Sequence, residues 1–571
     1  MNKPRRTFIK QTALTATAFS ISPAIAFPGN TMCGADRIVQ MLTELNDERI
    51  EEHLSRQLNK PGDRWDGGVI NEYDIPNAHS TSAFVEDLGA SYASPLSRYY
   101  LSGSLEKPME RAITCLLHVQ YDDGTIDLHT TNFHSTPDTA FIVNYLSPVY
   151  VILRRLQGPG LESLLQKMSS FFHNAGKCFL AGGIHTPNHR WVVCSALARL
   201  NTFFPSQEYI DRIDEWLSEG IDMDPDGQYT EKSVSIYSPV CNHMFLTIAR
   251  LLNRPELFDV VRKNLEMTLY YIQPGGEVLT DASGRQDAAR TGYVNRYYYA
   301  YRYLAIKESN PVFSAVCQLI ETQMPERIVG QLPGLLEDPV FEKELISPSK
   351  IPDNYFKRFE YSGVFRIRRG NTDISIIEKN PTFLSFMKGQ AVMQSMRLAA
   401  AFFGSLGQFI SEETAFDGSR VILSSYTKHG YFQPFPEDHR PEDGDWHKMP
   451  REMRELSEAQ TMQVRVTITE SGGKVSIELQ IDGTEHIPVS CEMCFRPGGE
   501  LSGVTEDKNM EDAYFLDSNM GTYKHGDDLI KFGPGIVSHR WAQMRGMLAK
   551  QDGNSVYITG YTPFRHLIEI S

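Results

Sequence analysis

The spacing of apolar residues changes once along this chain, and the change calls for two different architectures. From about Asp36 to Leu345 the apolar residues recur at helical spacing. Ile142, Leu146, Val149 and Leu153 fall at i, i+4, i+7 and i+11, and Cys241, Phe245, Ile248 and Leu252 repeat the pattern. Each stripe covers one face of a helix, the face that must be buried. Roughly a dozen such segments are joined by turns such as Gln157-Gly158-Pro159-Gly160 and Asp224-Pro225-Asp226-Gly227. Helices in succession with short connections pack as antiparallel hairpins. About three hundred residues of them, closed on themselves, predict an α/α toroid, an incomplete helical barrel, although no sequence repeat proves the closure.

After about Pro352 the period becomes two. Val364-Phe365-Arg366-Ile367-Arg368 alternates, as do Val464-Arg465-Val466-Thr467-Ile468, Lys474-Val475-Ser476-Ile477-Glu478-Leu479 and Ser555-Val556-Tyr557-Ile558-Thr559. Breaks such as Ser471-Gly472-Gly473 separate these runs, which reads as antiparallel hairpins in a β-sandwich. The expected division is a leader at 1–26, a toroid at 27–350 and an antiparallel β-sandwich at 351–571.

The leader is an expectation in its own right. Arg5 and Arg6, followed by Phe8, Ile9 and Lys10, form a twin-arginine export pattern, and Ala24-Ile25-Ala26 offers the small residues a signal peptidase needs. The apolar run from Thr12 to Ile25 is too short and too rich in Ala, Thr and Ser to span a bilayer. Cleavage after Ala26 and a periplasmic or secreted location are therefore expected. Removal of Lys3, Arg5, Arg6 and Lys10 takes the formal charge from −15 to −19. So acidic a protein does not bind nucleic acid non-specifically, and an anionic substrate needs a locally basic cleft. No later stretch approaches twenty apolar residues, so no membrane insertion is expected after cleavage. The cysteines, at 33, 115, 178, 194, 241, 317, 491 and 494, are scattered in apolar segments and read as free buried thiols. The one CxxC, Cys491 and Cys494, lacks the partner motif that a zinc or redox role requires.

Four segments concentrate polar chemistry. In His185-Thr186-Pro187-Asn188-His189-Arg190-Trp191, Thr186 suits an N-cap and Pro187 a first helical residue, which puts Asn188 and His189 at the positive end of a helix. Ordinary capping explains the same residues, and a metal held by His185 and His189 is disfavoured by the capped turn between them. In Tyr237-Ser238-Pro239-Val240-Cys241-Asn242-His243, His243 stands about 200° around the helix from Cys241. It faces away from the packing seam, toward solvent on a lone helix or the central cavity on a toroid's inner helix. In Arg290-Thr291-Gly292-Tyr293-Val294-Asn295-Arg296-Tyr297-Tyr298-Tyr299, Tyr298 lies about 80° from the seam centre, on a flank able to reach a cleft. Most tyrosines in such a stripe are core. His129-Thr130-Thr131-Asn132-Phe133-His134-Ser135 reads as a cleft loop or an ordinary capped connection.

Asn, His, Tyr and Arg without an evident carboxylate pair suit β-elimination on a uronic-acid polysaccharide. The sugar carboxylate must be neutralised, a base must take the C5 proton, and an acid must protonate the leaving oxygen. Asn188, His189 and Arg290 are donors for the carboxylate. His243 is a base candidate and Tyr298 an acid, or base and acid in turn. Arg190, Trp191, Tyr237, Asn132 and His134 are candidates for holding the anionic polysaccharide. No cofactor or metal is expected, and the oligomeric state is not set by these residues.

Export pattern, toroid, sandwich and the series Asn188-His189, His243, Tyr298 together resemble the toroidal uronate lyases, which include alginate, heparin and chondroitin lyases. Within them the chain is most similar to polysaccharide lyase family thirty-eight, whose members cleave alginate or glucuronan. The resemblance implies Asn188 as carboxylate neutraliser, His243 as a base and Tyr298 as acid or acid and base. In several related families a tyrosine stands where His243 stands here. Two other readings fit less well. A toroidal glycoside hydrolase needs two carboxylates across the bond, from Asp122, Asp123 and Asp127 or from Asp224 and Asp226, most of which look like turn residues. A non-catalytic glycan binder would keep aromatic platforms such as Trp65, Trp191 and Trp446 and show no turnover.

Overall fold

A computed structural model describes residues 34–156, 158–437, 440 and 442–571. The expected leader and Cys33 lie outside the described residues. Twelve α-helices precede the β-rich part among the described residues. They are α1 (Gly34–Ser55), α2 (Ala78–Ala93), α3 (Gly103–Val119), α4 (Thr136–Leu156), α5 (Glu162–Ala181), α6 (Pro187–Phe203), α7 (Gln207–Ser218), α8 (Tyr237–Leu251), α9 (Glu256–Leu269), α10 (Tyr298–Glu308), α11 (Pro311–Gln323) and α12 (Leu332–Glu337).

The even-numbered helices pack on one another in sequence, α2 on α4, α4 on α6, α6 on α8 and α8 on α10. Each odd-numbered helix from α3 to α11 packs outside this row against its neighbours. That is the double layer of an α/α toroid. Burial follows it. Every residue of α6 from Asn188 to Leu200 is buried, as befits an inner helix, whereas outer α7 buries only Tyr209 and Ile213. Gly89 of α2 permits a close approach to α4, since a Cβ there would stand 2.4 Å from Val149 Cγ1. The short α12 packs against α1, α2 and α4. Its Glu337 is ion-paired to Arg199 of α6 and, at 2.6 Å, to Arg250 of α8. So α12 ties both halves of the inner row.

From Asn354 onward the chain forms a nine-stranded and an eight-stranded sheet. Phe365, Ile374, Leu398 and Cys491 of the first share one core with Val464, Val466, Ile477 and Ile568 of the second. The pairing is antiparallel except where Ala513–Phe515 runs parallel to Asn554–Tyr561 and at an isolated parallel bridge between Val537 and Thr559. Two arginines of the sandwich grip the helical part. Arg366 is fully buried, ion-paired to Asp373 at 2.7 Å, and donates to the Tyr270 carbonyl at 2.8 Å. Arg496 holds both oxygens of Glu277 at 2.8 and 3.0 Å. The seven described cysteines are free and buried, and burial raises the thiol pKa of both Cys491 and Cys494. No helix among the described residues is long and apolar enough to cross a membrane.

Candidate active site

A cavity of about 690 Å³ opens inside the ring of inner helices. Phe141 and Tyr145 of α4 and His243 of α8 supply one wall, and Arg290, Tyr293, Arg296 and Arg327 supply the other from the segments before α10 and α12. Among the described residues no carboxylate pairs with any of these three guanidiniums. Asp287 also reaches the cavity, but its carboxylate is occupied by Ser233, Ser235 and Ser283. Arg327 lies 4.1 Å from the centre of the Tyr293 ring. In a protein of formal charge −15, this is a local reversal of sign.

His243 stacks on Tyr299, with centroids 4.4 Å apart and planes within 4°. Burial, then the charges of Arg199 and Arg250, push its pKa down to about 3, so the imidazole is neutral at ordinary pH. Burial likewise pushes the Tyr145 phenol up to about 12 despite the nearby Arg296, which keeps it protonated.

Asn188 is fully buried at the start of α6. Thr186 takes the N-cap position, but its hydroxyl does not cap. Glu231 does so instead, its Oε2 accepting from the Asn188 backbone N–H at 3.1 Å and from Nδ2 at 2.7 Å. The anion expected at this helix end is therefore one of the protein's own carboxylates, and both donors of Asn188 face it rather than the cavity. Asn188 Oδ1 and Glu231 Oε1 are buried without a partner, and Arg285 Nε stands 3.7 Å from the latter. Arg285 lies over Tyr237, the first residue of α8, whose hydroxyl accepts from Gln286 at 2.5 Å.

His189 packs edge-on to His185 at 4.6 Å and to Phe141 at 6.3 Å, between this cavity and a second one. Burial, then His185, pushes its pKa down to about 4. His189, which is buried, and His243, half-buried in the cavity wall, thus have folded pKa values far below their ordinary 6.5. Below that pH the unfolded chain binds more protons, so their contribution to stability is complete above 6.5 and erodes as the pH falls. Each pH unit costs up to about 1.4 kcal/mol per histidine until its folded pKa is reached. We expect the thermal midpoint to fall between pH 6.5 and 5, and His189→Gln to flatten that slope. Scanning calorimetry across the window checks it, and a midpoint indifferent to pH there contradicts it.

Two expectations are corrected. Tyr298 is fully buried, not on an accessible flank. Its hydroxyl donates to Glu321 of α11 at 2.6 Å and accepts from Arg302 at 3.3 Å, because α11 packs over that face of α10. Arg190 and Trp191 are buried, and both donate to Asp222 at 3.0 Å. The indole carries the guanidinium against its face at 4.4 Å, so the pair serves the core rather than a substrate. Asn132 and His134 line the second cavity, not the first. The structure thus brings together His243 and Arg290, with Tyr237 and His189 at the margins.

The sequence alone does not single out Tyr145, Arg296 and Arg327. Arg296 stands in a segment already marked by its aromatic and basic character. Tyr145 and Arg327 carry no local signal, because only the closure of the ring turns them inward. Four of the five carboxylates weighed for a hydrolase are tied into turns and loops, and Asp122 is exposed. Asp226 caps Tyr361 and Ser362, Asp224 accepts from Gln228, and Asp123 and Asp127 hold His134. Among the described residues no three His, Cys, Asp or Glu converge as metal ligands do.

No protein-family model matches the chain, and no curated protein does. Solved structures do. The Streptomyces coelicolor A3 chondroitin AC lyase in complex with chondroitin sulphate is 12% identical, with a TM-score of 0.53, covering 93% of this chain and 79% of that one. A Paenibacillus xanthan lyase is 9% identical, with a TM-score of 0.56, covering 95% of this chain, which spans only 58% of the xanthan lyase. Heparinase III is 12% identical, with a TM-score of 0.52, covering 96% and 86%. At these identities the likeness shows the fold, a helical toroid followed by β-sheets.

Proposed function

We propose that the chain is a polysaccharide lyase that cleaves a 1,4-linked uronic-acid polysaccharide by β-elimination, leaving a 4,5-unsaturated uronate end. The observation that carries this reading is the convergence of Arg290, Arg296 and Arg327, none paired with a carboxylate among the described residues, on the cavity that also holds His243 and Tyr145. The guanidiniums neutralise the uronate carboxylate and the charge that builds on it as the C5 proton leaves. His243 takes that proton. Its depressed basicity recovers once a carboxylate lies beside it, since a nearby negative charge favours the imidazolium. Tyr145, protonated at neutral pH, gives its proton to the departing O4 and takes the acid role that Tyr298 cannot reach. The fold shared with chondroitin, xanthan and heparin lyases supports the reaction class.

Alginate, then glucuronan, is the finer proposal. It rests on the family thirty-eight resemblance of Asn188-His189 and His243, and export through the twin-arginine pattern completes it. The test is incubation of purified protein with alginate blocks, glucuronan, hyaluronan and heparin. Products with ultraviolet absorbance from the conjugated double bond are expected, first with alginate. New reducing ends without absorbance would mean hydrolysis and overturn the proposal.

A further inference from the structure

Among the described residues neither ring nitrogen of His243 has a hydrogen-bond partner in the protein. A histidine that moves protons is ordinarily oriented by a group bonded to its far nitrogen, as the third member of a triad does. Among the described residues no carboxylate or carbonyl takes that place. The ring is held by its face instead, flat against Tyr299 of α10, with centroids 4.4 Å apart and planes within 4°.

Tyr299 is itself fixed. It is 2% exposed, and Phe341 packs on it edge-on at 4.9 Å. A Cβ at Gly334 of α12 would stand 3.0 Å from Tyr299 Cε2, so α12 crowds the edge of the ring. The Tyr299 hydroxyl is buried without a partner. Burial pushes that phenol up to about 12, which keeps it neutral. The polar end of this side chain thus bonds nothing, and its contact with His243 is made by the π face alone. The charges near His243 offer an imidazolium little else. Arg199 and Arg250 oppose it, and Glu337, which favours it, is paired to both of those guanidiniums. An aromatic face carries negative potential and attracts a cation laid on it, the more so away from water.

We propose that Tyr299 is a positioning residue of the reaction, whose ring face sets the plane of the His243 imidazole and, acting through it, stabilises the imidazolium formed when the C5 proton arrives. This deepens the lyase reading and rests on it for the source of that proton. The proton passes from C5 to a nitrogen of His243, and the C–H electron pair becomes the C4–C5 double bond. The C4–O4 bond breaks, and O4 leaves with its electron pair and takes the Tyr145 proton. Tyr299 exchanges no proton and touches no substrate, since it lies behind the imidazole and is closed to the cavity.

The test compares Tyr299→Phe with Tyr299→pentafluorophenylalanine, which keeps the outline of the ring and reverses the sign of its face. Kinetics are measured on the uronate polymer that yields absorbing products. We expect Tyr299→Phe to keep kcat, KM and the thermal midpoint, because the hydroxyl it removes has no partner. The fluorinated ring should lower kcat by about tenfold, the worth of one cation–π contact, and leave KM in place. In protein labelled with ¹³Cε1-histidine, the His243 resonance is the one lost in His243→Ala. It should stand upfield of a free histidine, through the ring current of the stacked phenol, and remain there in Tyr299→Phe. Equal kcat with the phenyl and fluorinated rings, a loss that appears in KM, a fall of kcat in Tyr299→Phe, or a His243 resonance at its ordinary position overturns the positioning role. Absence of absorbing products from the unaltered protein would instead overturn the lyase reading, and the resonance would still decide whether Tyr299 fixes the ring.

Discussion

Replacing His243 with alanine lowers the rate of double-bond formation by about 10²–10⁴-fold, the usual worth of a positioned general base. The loss is expected in kcat more than in KM, because the three arginines proposed to hold the carboxylate remain. The fold survives, since the imidazole already borders a cavity and its removal only enlarges that space. The pH profile gives an independent check. An imidazole with its folded pKa near 3 is neutral at every working pH, so kcat/KM for the free protein shows no limb near 6.5 from this group. Initial rates from pH 5 to 8, with the variant assayed at pH 7, measure both. A variant that keeps more than a tenth of the activity would remove His243 from the reaction and leave a phenol of the cavity to act as base.

Periodicity and geometry differ in what they disclose. Helical spacing is local, and the stripes at Ile142–Leu153 and Cys241–Leu252 were enough to announce paired helices. The switch to alternation after Pro352 announced the sandwich for the same reason. A residue's angle around its own helix is also local, and it turns His243 away from the seam. Whether that direction is cavity, solvent or another helix depends on a neighbour remote in sequence. For Tyr298 the neighbour is α11, which offers Glu321 and closes the flank. For Arg190 and Trp191 it is Asp222, some thirty residues on, which converts a polar-looking helix start into core. The Asn188 amide shows the same limit. A helix N-terminus calls for an anion, but only the fold reveals that Glu231 already answers.

The largest effect on stability is expected at Glu337. Arg199 is 2% exposed, and its guanidinium is satisfied chiefly by this carboxylate. Arg250 meets the other oxygen at 2.6 Å and reaches Asp338 only at 3.5 Å. Burial alone would raise the Glu337 pKa, but the two guanidiniums hold it below the ordinary carboxylate range. Glu337→Ala leaves buried Arg199 and partly buried Arg250 facing each other with little to neutralise them, a change that typically costs about 3–5 kcal/mol. The cost falls on the contact that ties α12 to α6 and α8, so the floor beneath Tyr299 and His243 loosens with it. Glu337→Gln keeps the shape and one acceptor oxygen, and should cost less while depressing His243 further, because the one charge that raises its pKa is gone. Denaturant midpoints for both variants separate the two effects. If Glu337→Ala shifts stability by less than about 1 kcal/mol, the network contributes shape alone.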